Sequence, residues 1–247
     1  MNCLLGFLKT QAGTSKVLGD DSWQLSPQVR QRLAFVPQAN DLFDWMTTPQ
    51  IVNYVSKFYT NWNQQFVDSL LQEWEIPSKG VIREFSVGEA QRLAIVLAMG
   101  HEPDLLIMDE PVAALDPSAK RKFIKQLIEL NTEKGNTVLF STHITTDVER
   151  VAADVAIITS GRTYFQGPLD VLKERVVRLH IEAKRDLYRL AELDGIVSSV
   201  IIGQEAVATF ENYSEGLKAQ LENEFEAKVT AQTLGLEDIF VELAEGN

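Results

Sequence analysis

A single cysteine, Cys3, in 247 residues provides neither a disulfide framework nor a thiolate metal cluster. That scarcity fits a reducing cytosol. Long apolar runs are missing too. None approaches the roughly 20 residues that span a bilayer, so any membrane role has to work through a partner. The opening "MNCLLGFLKT" has too short an apolar stretch and no basic leader, which argues against a signal peptide. Basic charge is in short supply. The formal net charge is −12, and residues 176–247 carry 6 Lys/Arg against 14 Asp/Glu, a net −8 that leaves −4 for residues 1–175. So acidic a chain is a poor general binder of phosphate backbones, and no nucleic-acid partner is expected. Repeats and low-complexity linkers are lacking as well.

What is present is the material of an ordinary core, 45% hydrophobic residues. "RLAFVP" (32–37), "DLLIM" (104–108), "NTVLFS" (136–141) and "DVAIIT" (154–159) read as strands. Helical periodicity lies between them, from Ser118 to Glu133 and from Ile144 to Ala153. The alternation predicts an α/β fold with a parallel sheet and covering helices. Residues 48–101 break it with helix-like segments only, "TPQIVNYVSKFY" and "NQQFVDSLLQEWEI" being the clearest. A helical insertion over about 41–101 is expected. After "PLDVLKERV" the order becomes β-α-β-β-α-β, with "KRDLYRLAELDG" and "SEGLKAQLENEFEA" as its helices, followed by a closing helix "LEDIFVELAEG". This predicts two domains, 1–175 and a small ferredoxin-like α+β domain over 176–247.

The chemistry-bearing residues stand at strand ends, where parallel sheets bind ligands. "LAFVPQ" delivers Gln38, "LLIMDE" delivers Asp109 and Glu110, and "VLFSTH" delivers His143. Adjacent carboxylates repel and lose hydration, a cost that a bound Mg²⁺ reverses. In this reading Asp109 holds the metal, and Glu110 orients and deprotonates an attacking water. Upstream, "FSVGEAQR" places Ser86 and Glu89 in the S-x-x-E capping pattern before a helix. A helix start beside Gly88 is also an anion site.

Taken in order, "VPQ", "FSVGEAQR", "LLIMDEP", "ALDP" and "FSTH" resemble the nucleotide-binding subunit of ABC transporters, and the likeness runs from about Leu33 to Gly167. "LEDIFVELA" resembles the ending of exporter-type subunits. The resemblance implies a P-loop NTPase-like fold and ATP hydrolysis with ATP and Mg²⁺ at a site shared by two subunits. Glu110 would be the catalytic base, with His143 at the γ-phosphate and Asp109 and Gln38 serving Mg²⁺ and the γ-phosphate region. Ser86, Gly88 and Glu89 would lie at the nucleotide of the opposite subunit, and Asp116 would link the two sites. The implied partners are a second nucleotide-binding subunit and a transmembrane permease, with the chain at the inner face of the cell membrane and touching it only through the permease. A cytoplasmic helix of that permease would dock near Phe43, Trp45, Phe58, Tyr59 and Trp62. The other readings are a non-catalytic or regulatory subunit and a soluble ABC ATPase outside transport.

Two departures stand out. No G-x-x-x-x-G-K-[ST] phosphate loop occurs, and "MNCLLGFLK" looks like the helix that normally follows one, so weak Mg-ATP binding is expected of these residues. The family's L-S-G-G-Q is here Phe85, Ser86, Val87, Gly88, Glu89. Val87 requires a negative φ, and Glu89 puts an anion where a phosphate would dock.

Overall fold

The computed structural model describes residues 1–39 and 41–245, which fall into two units, Met1–His143 and Ile144–Asn247. In the first, a short antiparallel hairpin joins β1 (Lys16–Val17) to β2 (Asp20–Asp21), and α1 (Pro27–Arg30) leads into β3 (Leu33–Val36). Three helices follow, α2 (Thr48–Ser56), α3 (Gln64–Glu73) and α4 (Val87–Met99). Then come β4 (Leu105–Asp109), α5 (Pro117–Lys134) and β5 (Thr137–Ser141). The strands form a parallel sheet in the order β3-β4-β5. The helical insertion is thus present, and residues 48–101 contain no strand among those described.

Local chemistry starts and stops these helices. Asn63 Oδ1 accepts the Phe66 N–H (3.0 Å) at the head of α3. Asp116 caps α5 with Pro117 in its first turn, and Gly135 at φ +68° ends it. β4 is the central strand, and Leu106, Ile107 and Met108 are all at most 1% exposed, so its unbroken apolar run is covered on both faces. Leu93, Ile95 and Val96 of α4 pack in the same core with Trp74 and Phe123, whose rings meet edge to face at 6.5 Å. Gly100 closes α4 where a Cβ would lie 2.4 Å from Trp62, so no larger residue fits without displacing that ring.

The N-terminal segment is turns, not the expected helix. Gly6 sits at φ +70° with Ser22 O only 2.2 Å from where a Cβ would be, and a left-handed residue interrupts a right-handed helix.

The second unit begins with a single helical turn, α6 (Thr145–Val148), shorter than the periodicity over 144–153 predicts. β6 (Asp154–Thr159) pairs antiparallel with β7 (Arg162–Pro168) instead of joining the parallel sheet. The two-residue turn explains this, since Ser160 and Gly161 both have positive φ and return the chain at once. Parallel pairing would need a crossover. After α7 (Leu169–Arg175) come β8 (Val176–Glu182), β9 (Ile196–Ile202), β10 (Glu205–Glu211), α8 (Glu215–Glu224), β11 (Lys228–Thr233) and α9 (Leu236–Glu245). Gly246, assigned above to the closing helix, lies outside the described residues.

The last four strands form an antiparallel sheet in the order β11-β8-β10-β9, as in a ferredoxin-like unit. Its first predicted helix is only a 3₁₀ turn at Leu190–Glu192. Asp186 Oδ1 accepts the Tyr188 N–H (3.0 Å), a side-chain turn that competes with helix, while Leu187 and Leu190 still reach the core. The composition change near Arg175 coincides with the start of β8, inside the second unit. α9 closes on the β6–β7 hairpin by burying Ile239 and Leu243 with Phe165 and Leu172. Among the described residues no helix is long and apolar enough to cross a membrane.

Candidate active site

Parallel register sets the site. Val36 pairs with Met108, and Asp109 pairs with Ser141, so Gln38, Asp109–Glu110 and His143 all leave the sheet at one edge. Three of these join into a bonded cluster. Ser141 Oγ donates to Asp109 Oδ1. The Glu110 N–H is shared by Ser141 O (3.1 Å) and Ser141 Oγ (3.2 Å). Glu110 Oε1 lies 2.9 Å from His143 Nδ1. Glu110 has φ +49°, a conformation costly for a residue with a side chain, and it turns the carboxylate into the sheet edge. Its side chain is 15% exposed against 73% for His143. The second oxygen, Glu110 Oε2, is buried without a hydrogen-bond partner. Gln38 sits past β3 at the same edge with its side chain exposed.

A second cluster forms at the head of α4. Ser86 Oγ accepts the Glu89 N–H (3.2 Å), while Glu89 Oε2 takes both the Ser86 N–H and the Ser86 hydroxyl at 2.7 Å. The backbone N–H, with the hydroxyl second, holds the Glu89 carboxyl below its usual range. The donors that the resemblance assigns to a phosphate are therefore engaged by this chain's own carboxylate. Val87 is helical, at negative φ, so the valine costs nothing in backbone strain. Gly88 lies against the Ala113–Ala114 loop, where a Cβ would stand 3.0 Å from Ala114 O. Asp116 Oδ1 accepts the Ser118 and Ala119 N–H groups (2.8 and 3.0 Å), so this carboxylate caps α5 and is held below its ordinary value by those donors, Ala119 first.

Residues 1–113 match the family model of the ABC transporter. The chain carries an ABC transporter ATP-binding domain. It is 25% identical to the bacitracin transport ATP-binding protein BcrA of Bacillus licheniformis, over 98% of this chain and 83% of that protein. It is 28% identical to the uncharacterized ABC transporter ATP-binding protein YxlF of Bacillus subtilis (strain 168), covering 85% of this chain and 72% of that one. Nod factor export ATP-binding protein I of Cupriavidus metallidurans shares 30% identity over 68% of this chain and 56% of its own length. Among solved structures, the ATP-binding subunit of an ABC transporter superposes with a TM-score of 0.63 at 26% identity, over 70% of this chain and 73% of that one. A dimeric ATP-binding cassette in a post-hydrolysis state with ADP and Pi shares the fold at a TM-score of 0.60 and 21% identity.

Sequence reasoning passed over Ser141. A serine before Thr-His at a strand end looks like a turn residue, and only the register opposite Asp109 exposes its part. It bridges the Asp109 carboxylate and the Glu110 backbone. Ser141→Ala should lower kcat for Mg-ATP by roughly 10- to 100-fold through misplaced carboxylates. The ATP KM should stay unchanged, half-saturating Mg²⁺ should rise, and Ser141→Thr should largely restore both. Steady-state phosphate release titrated with each ligand checks this.

Proposed function

We propose that this chain binds and hydrolyses ATP and thereby powers an ABC-type exporter through a separate permease. The observation that carries the proposal is the Glu110–His143 pair beside Asp109, with one buried Glu110 oxygen left unsatisfied. An orphaned carboxylate oxygen is costly in a folded protein unless a ligand completes it. In the proposed reaction Glu110 Oε2 accepts a proton from the attacking water, and the bond from His143 Nδ1 to Oε1 fixes the carboxylate's direction. The exposed remainder of the His143 ring reaches the γ-phosphate, with Gln38 at the same edge. Asp109 and the Ser141 hydroxyl supply hard oxygen donors, and among the described residues no group of three or more His, Cys, Asp or Glu could hold a metal alone. That donor set fits Mg²⁺, which takes one or two carboxylates and fills its shell with phosphate oxygens and water. When bound beside Asp109, the ion offsets phosphate charge in the transition state.

Ser86 and Gly88 would meet the nucleotide of a second subunit. The exporter assignment draws on relatives whose names specify bacitracin transport and Nod factor export. Docking to a permease is supported by an exposed aromatic ladder. Phe43 (44%), Trp45 (61%), Tyr54 (40%) and Phe58 (58%) are joined by ring contacts of 5.2–6.0 Å. A weakened or regulatory half-site is the second reading, because Glu89 already occupies the Ser86 donors.

Glu89→Gln keeps the helix cap and removes the anion. It should raise apparent ATP affinity or turnover roughly fivefold, about 1 kcal/mol of repulsion at short range in water; kinetics equal to wild type would discard the second reading. The function itself is tested by phosphate release at millimolar Mg-ATP, where EDTA-sensitive hydrolysis is expected and its absence removes the proposal. With no phosphate-loop sequence in these 247 residues, calorimetry on the isolated chain should give an affinity weaker than micromolar.

A further inference from the structure

We propose that the four-stranded sheet of the second unit joins two copies of this chain through edge strand β9, extending the sheet across a two-fold axis. β9 and β11 are the two edges of this sheet. Natural edges are blunted by charges, proline or bulges, and β11 follows that practice with Lys228 and a polar run. β9 reads IVSSVII, with no charged residue and no proline. Its one irregularity is at the N-terminal end, opposite Thr209–Phe210, so the stretch from Ser198 to Ile202 is regular and straight-paired.

At Ser198 the outer face is held by α9, whose Glu242 accepts the Ser198 hydroxyl, and from Val200 to Ile202 both faces are open. Val200 (63% exposed) and Ile202 (76%) pair with Val207 and Glu205 on the outer face. Ile201 (38%) pairs with buried Ala206 on the face that α8 covers, so the end of β9 projects past its own cover. A helix or loop laid against the sheet could cover only one of these faces. An added strand covers both, because its side chains alternate and its backbone satisfies the edge.

The identity of that strand follows from charge and register. Residues 176–247 carry a net −8, so a basic partner would be drawn to the carboxylate-bearing faces and not to the one strand without charge. A second β9 matches the edge. An antiparallel register centred on Val200 sets Val200 against Val200, Ser199 against Ile201 and Ser198 against Ile202. Each bulky exposed residue then gains a neighbour, and no like charges stand opposite. Charge elsewhere on the two units is screened within about 8 Å at physiological salt.

The test is the mass of the full 247-residue chain by sedimentation equilibrium, without nucleotide and with EDTA so that no ATP-driven association contributes. Twice the 27.7-kDa chain mass is expected. Val200→Lys with Ile202→Lys should return the chain to single mass with an unchanged circular dichroism spectrum. The milder Val200→Thr with Ile202→Thr should weaken dimerisation without adding charge, and Thr230→Lys on β11 should leave the dimer intact. A wild-type mass of 27.7 kDa at the highest soluble concentration, or a double variant that stays dimeric, overturns the inference.

Discussion

Glu110→Gln should cut ATP turnover at saturating Mg-ATP by about 10²- to 10⁴-fold, the range that a positioned general base contributes. The amide keeps the size of the side chain and can still meet His143, but it cannot take a proton from water. Nucleotide affinity should change far less, because the lost interaction belongs to the transition state and not to ground-state binding. The strained backbone at φ +49° and the two Ser141 acceptors on the Glu110 N–H are independent of the side chain, so the variant should fold normally. Phosphate release under single-turnover and steady-state conditions measures the effect. A rate within a few-fold of wild type would remove Glu110 from the chemistry.

The second large effect is on acid stability. His101 is 0% exposed, stacked on Tyr59 with ring centroids 3.8 Å apart, and its two ring nitrogens lie buried without a hydrogen-bond partner of good geometry. Burial pushes its pKa down from 6.5 to about 4, against a weaker backbone contribution from Leu33 that favours the charged form. Above pH 6.5 the ring is neutral in both folded and unfolded chains, and it imposes no pH dependence. As pH falls from 6.5 towards 4 the unfolded chain binds a proton that the folded one refuses, so stability is lost across that window and levels off below it. The loss amounts to about 3 kcal/mol. Urea unfolding of the first unit between pH 7.5 and 4 should show this slope. His101→Phe keeps the stack on Tyr59 and should flatten the curve by that amount. Parallel curves for the two proteins would show that His101 is not the group responsible.

Legibility in the sequence followed burial. β4 was readable because a strand covered on both faces has to be apolar throughout, and α2, α3 and α4 because their amphipathic spacing faces one core. What failed was local competition. Asp186 turns the chain before a helix can form, Gly6 breaks the N-terminal segment, and Ser160–Gly161 sends β6 into a hairpin. In the site, Asp109, Glu110 and His143 were visible as polar residues at the ends of apolar runs. Ser141 was not, because its meaning lies in its pairing with a residue on another strand. His101 was hidden for the same reason, its environment being made by Tyr59 and the end of α4. The open edge of β9 could not be told from its sequence, since alternation does not say which strand is last in a sheet.

A crystal structure of the chain soaked with Mg²⁺ and a non-hydrolysable ATP analogue shows whether Asp109, Glu110 and His143 gather around one nucleotide. The metal is expected against Asp109 and the terminal phosphate beside Glu110 Oε2 and the His143 ring, with Gln38 within reach. Nucleotide density elsewhere, with Glu110 Oε2 still without a partner, would contradict that placement.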